Sequence, residues 1–301
     1  MMVRTGHRAG KPIPDVGFAA PVGTPAGLEV LSLAVLRERA PVRLGKGRIT
    51  LPQRPDFHHL ITLSEGRLRH TVDFTGYTLA PGAWLWVRPG QVQQWGDLEK
   101  AEGTLILFER DFLDPATVAA AGLDERHAPP LLTPVGEDRS ALEIASAHLE
   151  HEFHALGRVP LEAHVLILRQ LLGALVLRAA HIQAPGSPAT DPGEPYVRFR
   201  AAVDRDFAGV RRVEDYAHAL GYSARTLSRA TLAADGVTAK EFIDRRVLLE
   251  AKRLLAHSDQ SAARIAAQLG FSSATNFSKF FHRHTGKSPL GFRGTIRGTQ
   301  S

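Results

Sequence analysis

Short runs in which apolar and polar residues alternate fill the region from Pro41 to Phe108. Alternation with a period of two is typical of strands with one buried face, and glycine or proline turns separate these runs. Strands of this length at even spacing predict a small β-barrel or sandwich. The residues from Leu28 to Arg39 predict a strand that leads into a short helix. The alternating runs are residues 59–63, 67–74, 83–87 and 103–108.

Further along, apolar residues recur every three or four positions and predict two helices, after an irregular stretch over residues 110–135. The first helix covers Ser140 to Leu156. The second covers Pro160 to Ile182, with Pro160 in its first turn, and it is apolar on two sides. We expect one side to pack on its own domain and the other on a partner subunit, unless a single subunit buries both. The stripe of the first helix is Leu142, Ala145, Leu149, Phe153 and Leu156, and that of the second is Leu161, Val165, Leu168, Leu172 and Leu175.

The segment from Ala184 to Pro195 holds four prolines, two glycines and no apolar anchor, so it predicts a linker. The expected fold class is α+β, with a β-barrel and a helical arm before the linker and an all-α domain after it. The predicted boundaries are 1–25 for a poorly ordered N-terminus, 26–135 for the barrel, 136–183 for the arm, 184–195 for the linker and 196–294 for the helical domain.

The region after the linker contains one short pattern twice. The segments Ala217-His-Ala-Leu-Gly-Tyr-Ser223 and Ala266-Ala-Gln-Leu-Gly-Phe-Ser272 place Gly221 and Gly270 49 positions apart. Each glycine follows an apolar helical run and comes before a serine that can cap another helix. A short helix, a glycine turn and a capped helix predict a helix-turn-helix, and this chain has two in register.

A long helix between the two copies supports DNA binding. Thr238-Ala-Lys-Glu241 has the spacing of a capping box, and the helical pattern continues to His257. Roughly 20 helical residues are about 30 Å long. That length is close to the roughly 34 Å between successive major-groove segments on one face of B-DNA. The other predicted helices of this domain are Tyr196 to Phe207, Val213 to Leu220 and Ser261 to Leu269.

The exposed positions of the two recognition helices are the candidate DNA-binding residues. Arginine and asparagine suit base edges, which applies to Arg225, Arg229 and Asn276, whereas the basic residues from position 279 onward suit phosphates. Leu227 and the phenylalanines at 277, 280 and 281 are expected in the core. The candidate set is Ser223, Ala224, Arg225, Thr226, Ser228, Arg229, Ser273, Ala274, Thr275, Asn276, Ser278, Lys279, His282 and Arg283.

Charge is unevenly distributed along the chain. From Tyr196 onward there are 18 lysines and arginines against 9 acidic residues, whereas residues 1–195 carry 19 against 22. The basic helical domain suits a polyanion, although a solvated basic face would have the same composition. The chain has no cysteine, which excludes disulfides, thiolate zinc sites and cysteine nucleophiles.

The repeated region resembles the DNA-binding domain of AraC/XylS-type bacterial transcription regulators over about 100 C-terminal residues. The segments that carry the resemblance are Ile265-Ala-Ala-Gln-Leu-Gly-Phe271, Phe277-Ser-Lys-Phe-Phe281 and His284-Thr-Gly-Lys-Ser-Pro289. It implies two helix-turn-helix units on asymmetric half-sites, and a cupin-like sensor barrel with a helical dimerisation arm. In the first unit, Arg229-Ala-Thr-Leu232 lacks the aromatic residue that often follows the basic one, which puts the local packing in doubt.

The cupin-like region lacks the ligand pattern of a metal site. Metal-binding cupins supply a His-x-His pair, a carboxylate and a later histidine, because a divalent metal needs several converging ligands. Here His58 and His59 are adjacent, so on a strand one would be buried and the other exposed. Gln93 or Gln94 stands at the later position. We therefore predict no metal, no other cofactor and no catalytic residue.

The same region is the expected sensor for a small polar or aromatic molecule. Trp84 and Trp86 share a strand face, where they fill the barrel or line a pocket. Arg88 would either bind an anionic group of this molecule or lie on the protein surface. The predicted effector-binding residues are His59, Trp84, Trp86, Arg88 and Gln91.

The sequence predicts an effector-responsive transcription activator rather than an enzyme. Its expected partners are double-stranded DNA, an unidentified small-molecule effector, a second copy of the chain and RNA polymerase. The N-terminus lacks a signal-peptide core and no run reaches membrane-spanning length, so the expected location is the cytoplasm, on the nucleoid. Two alternatives stay open: a cupin-type enzyme with an appended DNA-binding module, and a dimeric regulator whose barrel binds no ligand. A DNA-repair methyl acceptor is excluded because it needs a cysteine.

Overall fold

The computed structural model describes residues 12–20, 24–44, 48–124, 128–182 and 193–298. The described residues form two compact units. One comprises residues 14–182 and contains all of the strands described, and the other comprises residues 12–13 and 193–298 and is helical. The predicted combination of a β-rich part and an all-α part is confirmed. Residue 183 of the predicted arm and residues 184–192 of the predicted linker lie outside the described residues, as do residues 1–11 and 21–23 of the predicted N-terminal segment.

The β unit contains a five-stranded antiparallel sheet of order β10-β7-β4-β9-β2 and a three-stranded antiparallel sheet of order β6-β5-β8. A short parallel pair, β1 with β3, gives residues 15–16 of the N-terminal segment a defined place instead of poor order. The strands are β1 (Asp15–Val16), β2 (Leu28–Ser32), β3 (Arg54–Pro55), β4 (His58–Glu65), β5 (Leu68–Val72), β6 (Thr75–Leu79), β7 (Trp84–Val87), β8 (Gln93–Trp95), β9 (Glu102–Phe108) and β10 (Leu131–Leu132).

The five-stranded sheet is covered on both faces. Leu60, Trp84 and Trp86 belong to a hydrophobic cluster on the helical side, and their neighbours Ile61 and Leu85 belong to a second cluster beneath the three-stranded sheet. Since successive strand residues point to opposite faces, β7 is apolar throughout and β4 is buried on both faces over its first four residues. The helices of this unit are α1 (Leu33–Leu44), α2 (Pro115–Ala120), α3 (Gly136–Phe153) and α4 (Leu161–Ala180).

The two predicted helices of the arm exist with shifted ends. α3 begins four residues before the predicted start and ends three before the predicted end, so Leu156 lies outside the helix and is exposed. Leu161, the first residue of the predicted stripe in α4, is also exposed. The expected irregular stretch over residues 110–135 contains the single turn of α2, which begins at Pro115 after the capping residue Asp114.

The expectation that no segment reaches membrane-spanning length is wrong for α4. By length and composition it is the one helix among the described residues that could cross a bilayer. Its buried residues Leu168, Leu172 and Leu175 belong to the cluster that packs on the sheet, however, as in the core helix of a globular domain.

The helical unit contains the predicted order of helices. Its hydrophobic cluster collects Phe199, Tyr216, Leu227, Ile243 and Val247 from four helices. The first supporting helix begins and ends where predicted, at Val213 and Leu220. The helices are α5 (Glu194–Asp206), α6 (Val213–Leu220), α7 (Ala224–Asp235), α8 (Ala239–His257), α9 (Ala262–Gln268), α10 (Ala274–Thr285) and α11 (Pro289–Gly298).

Candidate nucleic-acid interface and sensor cavity

Both predicted helix-turn-helix units have the same turn. Gly221 after α6 and Gly270 after α9 lie in the left-handed region, with φ of 73° and 71°. Ser223 Oγ accepts a hydrogen bond from the Thr226 amide at 3.0 Å, and Ser273 Oγ accepts one from the Asn276 amide at 3.1 Å. Each hydroxyl satisfies a free amide in the first turn of α7 or α10, so both recognition helices begin with the same cap.

The predicted DNA-binding residues of α7 lie along one side of the helix. Arg225 and Arg229 are exposed and one turn apart, while Leu227 is completely buried in the core. Ala224, Thr226 and Ser228 are half-buried. The two guanidinium groups are therefore the basic groups that this helix presents to solvent, and its exposed acidic residue, Asp235, lies at the far end.

The predicted residues of α10 are arranged in the same way. Phe277 and Phe281 are completely buried, whereas Phe280 is half-buried against the cluster of the first unit. The Asn276 side-chain amide donates to Ser272 Oγ at 2.8 Å. Ala274 and Ser278 are half-buried, and the exposed residues are Thr275, Asn276, Lys279, His282 and Arg283.

The connecting helix α8 has 19 residues, which corresponds to about 28 Å. Thr238 Oγ1 accepts from the Glu241 amide at 3.2 Å, as a capping box requires. The Glu241 carboxylate pairs with Arg245 at 2.7 Å, so no return bond to Thr238 is formed. At the other end, the buried Arg293 and Arg297 of α11 donate to the Leu255 carbonyl at 3.0 Å and the Ala256 carbonyl at 3.1 Å.

Several arginines that contribute to the positive charge of this unit are not on its surface. Arg246, Arg253, Arg293 and Arg297 are buried or nearly so, and Arg211 is half-buried. Burial lowers the pKa of the Arg246, Arg293 and Arg211 guanidinium groups. The charge available to a polyanion is therefore smaller than composition suggests, and the exposed residues of α7 and α10 form a larger share of it.

In the β unit, the expectation of one buried and one exposed histidine is wrong, because both faces of β4 are covered. His58 is 1% exposed and His59 is 6% exposed. His58 stacks on Phe108, and its Nδ1 accepts from the Trp86 indole at 3.1 Å. Burial, together with the nearby Arg88 cation, lowers the pKa of His58 to about 3.

A third buried histidine, His70, which no sequence signal selects, is joined to His59 through a glutamine. His70 Nε2 donates to Gln93 Oε1 at 3.2 Å, and the Gln93 amide nitrogen donates to His59 Nδ1 at 3.2 Å. His59 Nε2 then carries the proton and has no hydrogen-bond partner among the described residues. Burial, and next the neighbouring His70, lowers the pKa of His59 to about 3; burial lowers that of His70 to about 4.

A cavity of about 280 Å³ lies beside His59. Of the five predicted effector-binding residues, only His59 lines it. Trp84 and Trp86 fill the core on the helical side, and the buried Gln91 bonds to Asp73 at 2.8 Å. Arg88 is buried over the Trp86 ring, so the surface alternative is wrong. The cavity wall is mainly apolar and includes Leu31, Leu36, Phe57, Trp95, Leu105 and Leu107. Its polar residues are Gln53 and the ion pair of Glu29 with Arg39, at 2.9 Å.

Comparison with known proteins finds a matching family model in the helical unit and relatives that align with most of the chain. A family model described as a helix-turn-helix domain matches residues 216–295. The transcriptional activator RhaS of Klebsiella pneumoniae is 24% identical over 242 residues, which cover 79% of this chain and 85% of that protein. RhaS of Salmonella arizonae is 25% identical over 246 residues, with the same coverage of each chain.

Two solved structures that align with parts or most of this chain are ToxT and the DNA-binding domain of AdpA. ToxT from Vibrio cholerae, crystallised with an unsaturated fatty acid, aligns over 91% of this chain and 98% of its own, with 12% identity and a TM-score of 0.40. The DNA-binding domain of AdpA in complex with a target DNA aligns over 36% of this chain and 97% of its own, with 27% identity and a TM-score of 0.34.

Proposed function

We infer that this chain, a DNA-binding transcription regulator of the AraC/XylS type, reads DNA by placing α7 and α10 in two successive segments of the major groove. The observation that carries this inference is the repeated recognition helix. Both helices begin with the same serine cap, expose polar and basic residues, and belong to one compact unit. The length of α8, about 28 Å, is comparable with one turn of B-DNA, roughly 34 Å.

Within each recognition helix we assign different roles to different side chains. Arg225, Arg229 and Asn276 would contact base edges, since their planar groups form paired hydrogen bonds with bases. Lys279, His282 and Arg283 would contact phosphates, which fixes position without reading sequence. Asn276 would exchange its bond to Ser272 for one to a base.

The relatives support a role in activation. The RhaS proteins are transcriptional activators by name, and they align with most of this chain. We therefore propose that the chain activates transcription in the cytoplasm, with RNA polymerase as a further partner and with no catalytic activity of its own.

The β unit is the proposed sensor, and the cavity beside His59 is the proposed effector site. The buried Nε2–H of His59 has no hydrogen-bond partner among the described residues, which is energetically unfavourable. An acceptor oxygen on the effector would satisfy this donor. The apolar wall favours an aromatic or aliphatic body. The site is thus suited to a small, mainly apolar molecule with a carbonyl or hydroxyl oxygen.

We further propose that α4 joins two copies of the chain. Opposite its buried side, α4 exposes Leu166 and Ile167, beside the half-buried Ala163 and Leu171. An apolar face of this kind on a helix is typical of a subunit interface.

The DNA-binding role is tested by comparing specific and random DNA. Full-length protein would first select its sites from a random-sequence library. Its affinity should fall steeply with added salt, because phosphate contacts release counterions. Arg225→Ala and Arg229→Ala should each weaken binding to the selected site by about tenfold, the value of one good base contact, with a smaller effect on random DNA.

Arg198→Ala serves as the matched control for these variants. It removes the same charge from an exposed position on α5, outside the recognition helices, and should leave the preference for the selected site unchanged. Equal losses on selected and random DNA would contradict the base contacts, and failure to select any site would contradict the function itself.

A further inference from the structure

The two helix-turn-helix units touch at a second place besides α8. The loop between α5 and α6 lies against the turn between α9 and α10. A Cβ atom built on Gly270 would be 2.0 Å from the Ala208 carbonyl oxygen. With its φ of 71° as well, position 270 admits only glycine without a shift of backbone. The turn of the second unit therefore rests directly on the backbone of the first.

Arg211 lies at this contact. Its guanidinium carbon is 3.5 Å from the centroid of the Phe271 ring and 5.8 Å from that of Phe280. Its Nη2 donates a hydrogen bond to the carbonyl of Leu269, the residue that ends α9. A planar cation can stack on an aromatic ring and donate in its own plane at the same time, which a lysine ammonium cannot do. The side chain thus belongs to the first unit and is bonded to the second.

The aromatic residues under Arg211 determine where α10 lies. Phe271 is two residues before the Ser273 cap, and Phe280 is in α10 itself. Both pack against the cluster of the first unit, which contains Leu227 of α7. A shift of α10 relative to α7 would therefore have to break the Arg211 contact.

The helix α8 and the Arg211 contact constrain different movements. The α8 connection fixes how far apart the two units lie along its axis, and Asp244 of α8 adds an ion pair to Arg283 at 3.8 Å. A single connecting helix does not by itself prevent the two helix-turn-helix units from rotating relative to each other about the helix axis. The Arg211 contact, between the loop before α6 and the end of α9, opposes that rotation and keeps α7 and α10 in one register.

We propose that Arg211 is the positioning residue that sets the allowed spacing between the two DNA segments recognised by α7 and α10. The proposal rests on the DNA-reading function proposed above. Arg211 itself contacts no base, because its guanidinium is held by Phe271 and Leu269 inside the protein. Its loss should widen the range of accepted spacings and leave the preferred bases of each segment unchanged.

The test is site selection from random DNA with full-length protein, followed by affinity measurements on the selected site. Wild-type protein should select two motifs at one spacing. An insertion of one base pair between them should cost roughly tenfold or more in affinity, since even one mismatched base pair costs about that much and the insertion displaces a whole motif. Arg211→Ala and Arg211→Lys should select the same two motifs at several spacings, and the cost of the insertion should fall below about threefold.

Arg212→Ala is the matched control, since Arg212 is adjacent, exposed and paired only loosely with Glu214 at 3.5 Å. It should retain the single spacing. Arg211→Lys keeps the charge and most of the length of the side chain, so it carries the test where Arg211→Ala does not fold. The proposal would be overturned if folded Arg211 variants still select a single spacing. It would also be overturned if their base preferences change while the spacing does not. Absence of paired motifs in the wild type would overturn the proposed function instead.

Discussion

Three buried histidines make the stability of the β unit dependent on pH. Their pKa values lie at about 3 for His58 and His59 and about 4 for His70, because burial disfavours the charged imidazolium. In the unfolded chain each returns to about 6.5. The unfolded state therefore binds more protons below that value, and stability present above pH 6.5 is lost as the pH falls. Three such groups should lower the free energy of unfolding by about 4 kcal/mol between about pH 7.5 and 5.5.

Urea unfolding followed by tryptophan emission measures this loss, since all three tryptophans lie in the β unit. His70→Gln should reduce the pH dependence by about one third, because one proton fewer is taken up. His151→Gln, at an exposed position of α3, should not change it. An unchanged slope in the His70 variant would show that this imidazole is charged in the folded protein.

Single residues differ in how far the sequence predicts them. The capping serines and the turn glycines follow from local rules, because each acts on backbone within four residues of itself. His70 and Arg211 do not, because their partners Gln93 and Leu269 are 23 and 58 positions away. The burial of both His58 and His59 likewise could not be predicted from the sequence, because alternation does not show whether the second face of a strand is covered.

At the scale of helices and strands, α4 carries the next prediction. The exposed fractions of Leu166 and Ile167 are 53% and 37%, although Leu168, Leu172 and Leu175 of the same helix are completely buried. Replacing both with glutamate places two charges in the proposed subunit interface, where burial without a partner is costly. The double variant should sediment as a monomer at concentrations at which the wild type is a dimer.

A suitable control is Val135→Glu, which adds a charge at an exposed apolar residue just before α3 in the same unit. It should leave the sedimentation coefficient unchanged. If the wild type is a monomer, or if the double variant still dimerises, the proposal that α4 forms the subunit interface would be wrong.

Element boundaries were predicted most closely where caps and turns define them. The bounds of α6 and the starts of α7 and α8 follow from the glycine, serine and threonine signals around them. The C-terminal ends of α3 and α4 lie before the predicted ones because apolar residues continue past them, at Leu156 after α3 and at Ile182 after α4. The cap that Arg293 and Arg297 provide for α8 joins residues about 40 positions apart and has no local signal.

For the whole molecule, the proposed function requires that the cavity in one unit affects DNA binding by the other. A ligand alters an equilibrium only through different affinities for its states. The effector should therefore change DNA affinity by the same factor by which DNA changes effector affinity. Coupling energies of this kind are typically 1–3 kcal/mol, or roughly 5- to 150-fold.

Trp95 makes the cavity observable, because it lines the wall while Trp84 and Trp86 lie in the other core. In a screen of small neutral compounds with a carbonyl or hydroxyl oxygen, the effector should change the tryptophan emission of full-length protein. Trp95→Phe should remove most of that change. His59→Phe should weaken binding of the compound by about tenfold, since it removes the Nε2–H, a buried donor beside the cavity that has no partner among the described residues. The same compound should shift DNA affinity in the wild type and not, at equal concentration, in the His59 variant. A compound that shifts DNA affinity equally in both proteins binds elsewhere, and the sensor role of the cavity would then be wrong.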